Sequence, residues 1–307
     1  MSEPIWLDSA ALDRMAPPAV VLEAISEGLN HPQGADVSVR WHYSGIGGNA
    51  LVMVVDDVES DMAVEKTLFV RPDNPARGLP SLSGHVALSE LSTGRLLVMA
   101  DGAWFTGMRT AAIAAYATRR LAVRRSRHLL VGAGYESFFH ARAFADVGGM
   151  THLAIWNRNQ LKAEALAARL RQSPWMRGVT IRVATQLSDV IGEADVVTTL
   201  TGSPEPLVVS GLGRDVLINA MGSYQPHTRE IGGEVVAQAR LVADSEAAVR
   251  EAGEFVLAGV EPGSGRVQFL WDNVLAPQPG IQVMKSVGAA FYDLALAKRL
   301  WKACCLG

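Results

Sequence analysis

The sequence predicts an α/β fold in two parts: an N-terminal α+β region, then a parallel sheet wound with helices on both faces. Three patterns carry the prediction. Between residues 36 and 100, short β-branched and leucine-rich runs are separated by Gly, Pro, Asn or Asp, as in consecutive antiparallel strands. From His128 onward, strand-like runs alternate with helical ones, which argues for a parallel sheet. At the first strand-to-helix junction stands a glycine turn, "VGAG".

Residues 1 to about 30 alternate helical patterning with breaks, as in "PPAVVLEAISEGL". "LVMVVDDV", "MAVEKTLFV", "HVALSEL" and "RLLVMADG" are the strands of the first part, and "RTAAIAAYATRRLA", Arg109 to Ala122, is an alanine-rich helix. In the second part "HLLVGAG", "HLAIWNR", "VTIRVA", "ADVVTTLTG", "DVLINAMG" and "ARLVADS" are strands. "SFFHARAFADV" and "NQLKAEALAARLRQ" are helices between them. The final helix, "SVGAAFYDLALAKRLWKA", follows "IQVMK", lies outside the alternation and is expected to return to the first part. The expected divisions are residues 1–122, 123–280 and 281–307.

Composition narrows the function. Apolar residues make up 49 % and charged residues 19 %, the balance of a globular chain with a large core. A net charge of −3 offers no field for nucleic acid or anionic membrane. The basic run "RRLAVRRSR" is explained by a solvated helix end, where arginine complements the dipole. The two cysteines, Cys304 and Cys305, are neighbours and make a poor staple, so a reducing, cytoplasmic setting is expected. No leader pattern or bilayer-length apolar run is evident. The seven histidines show no metal-ligand spacing, so no metal is expected.

The glycine turn carries the chemistry. Gly132, Gly134 and Ser137 occupy the three small-residue positions of a G-x-G-x-x-G/A turn, with Tyr135 and Glu136 opening the helix. The first glycine permits the turn and the second lets the backbone approach a pyrophosphate. The third small residue lets the helix lie on the strand. Helix-terminal amides then hold the phosphates. This predicts a Rossmann dinucleotide site. The second strand ends in Asn157, Arg158 and Asn159 rather than in the carboxylate usual for NAD. Arg158 can pair with a 2′-phosphate, so NADP is expected over NAD.

Seven stretches in this order resemble the ornithine cyclodeaminase/mu-crystallin family over nearly the whole chain. They are "MAVEKTLFVRPDNPARGLPS", "TGMRTAAIAAYATRRLA", "LLVGAGYESFFHARAF", "IWNRN", "ADVVTTLTGSPEPLV", "LINAMGSYQPHTREI" and "VMKSVGAAFYDLALAK". The resemblance implies a homodimer whose N-terminal domain binds substrate and builds the subunit interface, with a Rossmann domain for NAD(P). It implies hydride transfer at the α-carbon of a small amino or imino acid. By position it implies that Lys66, Arg109 and Arg40 grip the substrate carboxylate, with Ser81 near it. For the cofactor it implies Thr110, Thr199, Met221, Gly222, Val287 and Gly288.

Two departures from the family pattern select among its activities. Where the deaminating members place an aspartate, two residues after Gly222, this chain has Tyr224. A phenol cannot act as a carboxylate base near neutrality. The segment "WHYSGIGGNALVMVV" after Arg40 also lacks the acid that ornithine-specific members use for the distal amine. The expectation is an NADP-dependent reductase of an imino acid, cyclic or derived from an α-keto acid. An ornithine or lysine cyclodeaminase, an alanine-type dehydrogenase and a non-catalytic binding protein are the alternatives.

Overall fold

The computed structural model describes residues 3–30, 37–45, 47–147 and 149–306, with backbone alone for 37–39. Asp36, which opens the first strand-rich stretch, lies outside them. The chain divides into two compact units: residues 1–109 with 289–307, and residues 110–288. The division falls inside the alanine-rich helix rather than after its end at 122.

The first unit is built on a six-stranded sheet. In chain order its strands are β1 (Ile5–Leu7), β2 (Val37–Gly45), β3 (Gly48–Asp57), β4 (Met62–Val70), β5 (Leu82–Glu90) and β6 (Leu96–Asp101). The spatial order is β1-β6-β5-β4-β3-β2, antiparallel except for the β1–β6 pair. Helices α1 (Ser9–Met15) and α2 (Pro18–Asn30) precede β2. Asp8 caps α1 through a 2.7 Å bond from the Ala11 amide. Helix α2 buries Val21, Ala24, Ile25 and Leu29, the apolar stripe of a one-sided helix.

Alternation sorts the two faces of this sheet. Met53, Val55, Val64, Leu68, Val86 and Leu88 are buried on one face. The other carries exposed Trp6, Trp41, Tyr43 and Phe69. Helix α3 (Gly102–Leu121) follows β6 and crosses from the first unit into the second. It is buried on nearly every side, hence its run of alanines.

The second unit holds eight parallel strands: β7 (Arg127–Val131), β8 (His152–Trp156), β9 (Thr180–Val183), β10 (Val196–Thr199), β11 (Val216–Ala220), β12 (Arg240–Ala243), β13 (Val267–Phe269) and β14 (Ile281–Lys285). Their order is β13-β12-β14-β11-β10-β7-β8-β9. The order reverses between β7 and β10, the switch point where ligands of such sheets bind. Helices α4 (Tyr135–Val147), α5 (Gln160–Arg171), α6 (Gly233–Gln238), α7 (Glu246–Glu251) and α8 (Gly253–Val256) connect them. Asn159 caps α5 by accepting from the Leu161 and Lys162 amides. Such a cap contributes about 1 kcal/mol.

Two expectations about the C-terminal segment are corrected. "IQVMK", grouped with the returning segment 281–307, is β14, an interior strand of the second unit's sheet paired with both β11 and β12. The final helix, α9 (Ala290–Leu306), starts four residues later than its sequence suggested. Gly288 takes a left-handed φ of 75°, and Ser286–Gly288 turn around the Asp244 carboxylate instead of continuing a helix. The strand β13 and the short β1 carry too little periodicity to be legible in the sequence.

The arginine run divides by role. Arg120 donates to the carbonyls of Asp272 and Leu275, while Arg124 and Arg127 pair with Asp195 and Glu193.

Candidate functional site

In the first unit Lys66 sits at the centre of β4, where the pairing register sets Arg40, Met53, Lys66 and Val86 opposite one another. Directly opposed residues point to the same face, so Arg40 and Lys66 share the face that is otherwise apolar and buried. Lys66 is completely buried. Its ammonium donates to Asp293 of α9, and the other oxygen of that carboxylate accepts from Arg109 Nε at 3.0 Å. Asp293 is itself fully buried.

This is an unbalanced cluster: Lys66 and Arg109 share one carboxylate, and the Arg40 charge also acts on Lys66. Burial pushes the Lys66 ammonium down to about 7, helped by Arg109 and Arg40 and opposed by Asp293. Lys66 and Arg109 converge on one carboxylate from different elements, an arrangement of donors that can also receive an anionic ligand. Arg40 Nε lies 3.1 Å from His42 Nε2. Ser81 precedes β5, five residues before the Val86 that pairs with Lys66, and its carbonyl accepts from the Arg71 amide. It takes no part in the Asp293 cluster.

In the second unit the glycine turn follows β7. Gly132 has φ of 120°, and a Cβ there would stand 2.6 Å from the Leu200 carbonyl at the end of β10. Only glycine meets both demands. A Cβ on Gly134 would meet no protein atom within 4 Å, so its backbone faces open space as a pyrophosphate cradle requires. Ser137 is buried and donates to the Gly132 carbonyl at 3.1 Å, closing the turn on itself. Tyr135 and Glu136 form the first turn of α4, Tyr135 exposed. These residues fit a dinucleotide.

At the tip of β8, Asn157 accepts from the Ala133 amide at 3.2 Å, tying the tip to the glycine turn. Asn157 also donates to the Asn159 carbonyl, and Asn159 caps α5. Both asparagines therefore shape the tip, and Arg158 stands exposed between them. Thr110 is buried on α3.

The loops after β10 and β11 meet on a carboxylate that sequence reasoning missed. Glu230 accepts from Thr199 Oγ1 at 2.8 Å, Thr201 amide and hydroxyl at 2.7 and 2.8 Å, and the Gly222 and Ser223 amides at 2.8 and 3.2 Å. Burial pushes its carboxyl up, while the nearby Lys285 pulls it back. Lys285 pairs with Glu254 at 3.1 Å and donates to the Ser223 carbonyl at 2.5 Å. Asp244 does the same for the turn after β14, accepting from Ser286 Oγ at 2.6 Å and from the Gly288 amide at 2.9 Å. Met221 is buried and Tyr224 partly buried in the loop that follows β11. The signal for Asp293 was an acid inside an apolar helix and for Asp244 an acid at a strand end, while Glu230 stands in a loop with no local signal. That signal names no partner until the fold supplies one.

Among the described residues no cluster of three His, Cys, Asp or Glu is placed to hold a metal, and no helix is long and apolar enough to cross a membrane.

A parallel dinucleotide sheet joined to a sheet domain with a buried cationic cluster defines an NAD(P)-dependent oxidoreductase. Residues 20–304 match the model of the ornithine cyclodeaminase/mu-crystallin family, and the chain belongs to that family. It is 30 % identical over 249 residues to a Δ1-pyrroline-2-carboxylate reductase of Bacillus cereus, covering 77 % of this chain and 76 % of the relative. The mouse ketimine reductase mu-crystallin is 29 % identical over 277 residues, covering 89 % and 85 %. In fold, the chain superposes on the Thermococcus litoralis Δ1-pyrroline-2-carboxylate reductase in complex with NADH and L-proline with a TM-score of 0.88. That match has 24 % identity and covers 98 % and 97 % of the two chains. An archaeal alanine dehydrogenase dimer with bound NAD gives 0.87 at 22 % identity, over 99 % and 97 %.

Proposed function

We propose that the protein reduces the C=N bond of a small imino acid at its α-carbon, with NADPH preferred over NADH. The observation that carries the reading is the buried cluster of Lys66, Arg109 and Asp293 with Arg40 on the same sheet face. A cyclic ketimine carboxylate or the imine of an α-keto acid carries an anion that these converging cationic side chains can bind. The Arg109 fork and the Lys66 ammonium hold the carboxylate and so fix the neighbouring carbon. NADPH supplies the hydride when bound.

On the cofactor side, Gly132, Gly134 and the first turn of α4 are assigned to the pyrophosphate, and Arg158 to the 2′-phosphate. Thr110, Thr199, Met221, Gly222, Val287 and Gly288 are assigned to the rest of the dinucleotide. Glu230 holds Thr199 and Gly222 in shape, and Asp244 holds Val287 and Gly288. Tyr224 offers a hydroxyl but no carboxylate, which favours reduction of a ready-made imine over deamination, where a base must activate water. The apolar surroundings of Lys66, with Met53 and Leu68 on the same face, suit a substrate whose side chain bears no charge.

We further assign the sheet face that exposes Trp41, Tyr43 and Phe69 on β2 and β4, and Trp6 at the far edge on β1, to an interface with a second copy of the chain, since large exposed aromatics on one sheet face favour a partner. Free Cys304 and Cys305 suit a reducing, cytoplasmic setting.

The test is a panel of cyclic and acyclic imino acids assayed with NADPH and with NADH. Reduction of at least one, faster with NADPH, is expected. Lys66→Ala and Arg109→Ala should each abolish turnover while NADPH binding persists. Near-normal rates in both variants would place the substrate site elsewhere.

A further inference from the structure

Among the described residues the carboxylate of Asp293 is the acidic group that accepts from Lys66, and it belongs to the last helix rather than to the sheet that carries the lysine. Helix α9 turns Tyr292, Asp293, Leu294, Leu296, Ala297 and Leu300 into the core. Asp293 is thus a charge set deliberately among apolar side chains. A lone ionised carboxylate in such a place is strongly unfavourable, and so is a lone ammonium. Each is tolerable here because of the other.

The geometry is bidentate from the acid's side. One oxygen of Asp293 receives Lys66 and the other receives Arg109 Nε at 3.0 Å. A single rigid group therefore fixes the distance between two cations that stand on different elements, β4 and α3. Every element against Lys66 can be checked for charge. β2 brings Arg40, α3 brings Arg109 and α9 brings Asp293, while the directly paired residues of β3 and β5, Met53 and Val86, are uncharged. Asp293 alone opposes two like charges.

We propose that Asp293 is the positioning residue of the carboxylate grip, holding Lys66 and Arg109 at one spacing and favouring the charged form of Lys66. The inference rests on the reading of Lys66, Arg109 and Arg40 as that grip. Asp293 does not itself touch the substrate. It sets both the charge and the bite of the residues that do. Asp293 acts on Lys66 in the opposite sense to burial and the two arginines, favouring its charged form.

Asp293→Asn tests the proposal because it preserves shape and removes charge. The probe is pyrrole-2-carboxylate, whose carboxylate stays ionised across the range, titrated into wild type and variant from pH 5 to 9. Wild type should release the probe as pH rises through about 7. In Asp293→Asn the midpoint should fall by about one pH unit or more, while NADPH affinity stays within twofold. Asp293→Glu, which keeps the charge, should stand closer to wild type in midpoint than the asparagine variant does. An unmoved midpoint in folded Asp293→Asn overturns the proposal.

Should Asp293→Asn fold poorly, the double variant Lys66→Met/Asp293→Asn decides. With the buried ammonium removed, it should melt above Asp293→Asn alone, and a double variant that melts no higher also overturns the proposal. Failure of wild type to bind the probe at any pH would instead sink the carboxylate reading itself.

Discussion

If Lys66 grips the substrate carboxylate as proposed, it should couple ligand binding and fold stability to pH in opposite directions, and this opposition is the sharpest test of the site. Its ammonium titrates near 7 in the folded protein against an ordinary 10.5. Below pH 7 the lysine is charged in both folded and unfolded chains. Between 7 and 10.5 it is neutral when folded and still protonated when unfolded. The unfolded chain then binds more protons, so the Lys66 contribution to stability rises with pH across that window. The full interval corresponds to roughly 5 kcal/mol at 1.36 kcal/mol per pH unit, an upper figure because other groups titrate in the same range.

Binding of a carboxylate runs the other way. Each pH unit above 7 reduces the charged fraction of Lys66 tenfold, and loss of a charge-assisted hydrogen bond is worth about 1.5–3 kcal/mol. Affinity for pyrrole-2-carboxylate should therefore fall about 10- to 100-fold from pH 6 to pH 9. Calorimetric titration gives the affinity, and urea unfolding at the same pH values gives the stability. Lys66→Arg should flatten the binding curve, because a guanidinium stays charged throughout. An affinity constant from pH 6 to 9, or one that falls together with stability, would refute the argument.

Arg158→Ala should weaken NADPH by about 1.5–3 kcal/mol and leave NADH nearly unchanged, as read by cofactor fluorescence titration. Equal affinity of the unaltered protein for both cofactors would remove the basis for this. The unaltered protein should reduce preformed imines and release no appreciable ammonia from ornithine or lysine. Tyr224→Asp should raise that release, measured by a coupled ammonia assay. Efficient conversion of ornithine to proline by the unaltered protein would contradict the stated direction. His128 and His140 are buried, and burial pushes each from 6.5 down to about 4. As pH falls from 6.5 to 4 the unfolded chain protonates first, so each should withdraw up to about 3 kcal/mol of stability over that range. His140→Leu should flatten the acid limb of the stability curve, and an unchanged limb would show that His140 is not what titrates.

How much was legible follows from the range of the interactions involved. Strands β3 to β6 and β7 to β12 announce themselves because alternation, apolar runs and the punctuating Gly, Pro and Asn act over a few residues. The glycine turn is equally local: Gly132 needs its positive φ and its closeness to Leu200 wherever the rest of the chain goes. The segment "IQVMK" was a different case. Five apolar-rich residues followed by a helix do not say which strands they will join, and pairing with β11 and β12 is decided by long-range register.

Local order determined the two kinds of sheet, the dinucleotide turn and the exposed arginine at the β8 tip. All of these are properties of adjacent residues or of a residue's own chemistry. Tertiary structure alone decided which buried charges meet. Lys66 and Asp293 are separated by 227 positions and Arg109 and Asp293 by 184, yet they form one cluster. Thr201, Gly222 and Ser223 converge on Glu230 only once β10 and β11 lie side by side. Charge pairing in a low-dielectric core depends on distance in space and on exclusion of water, and neither is written in the local order of residues.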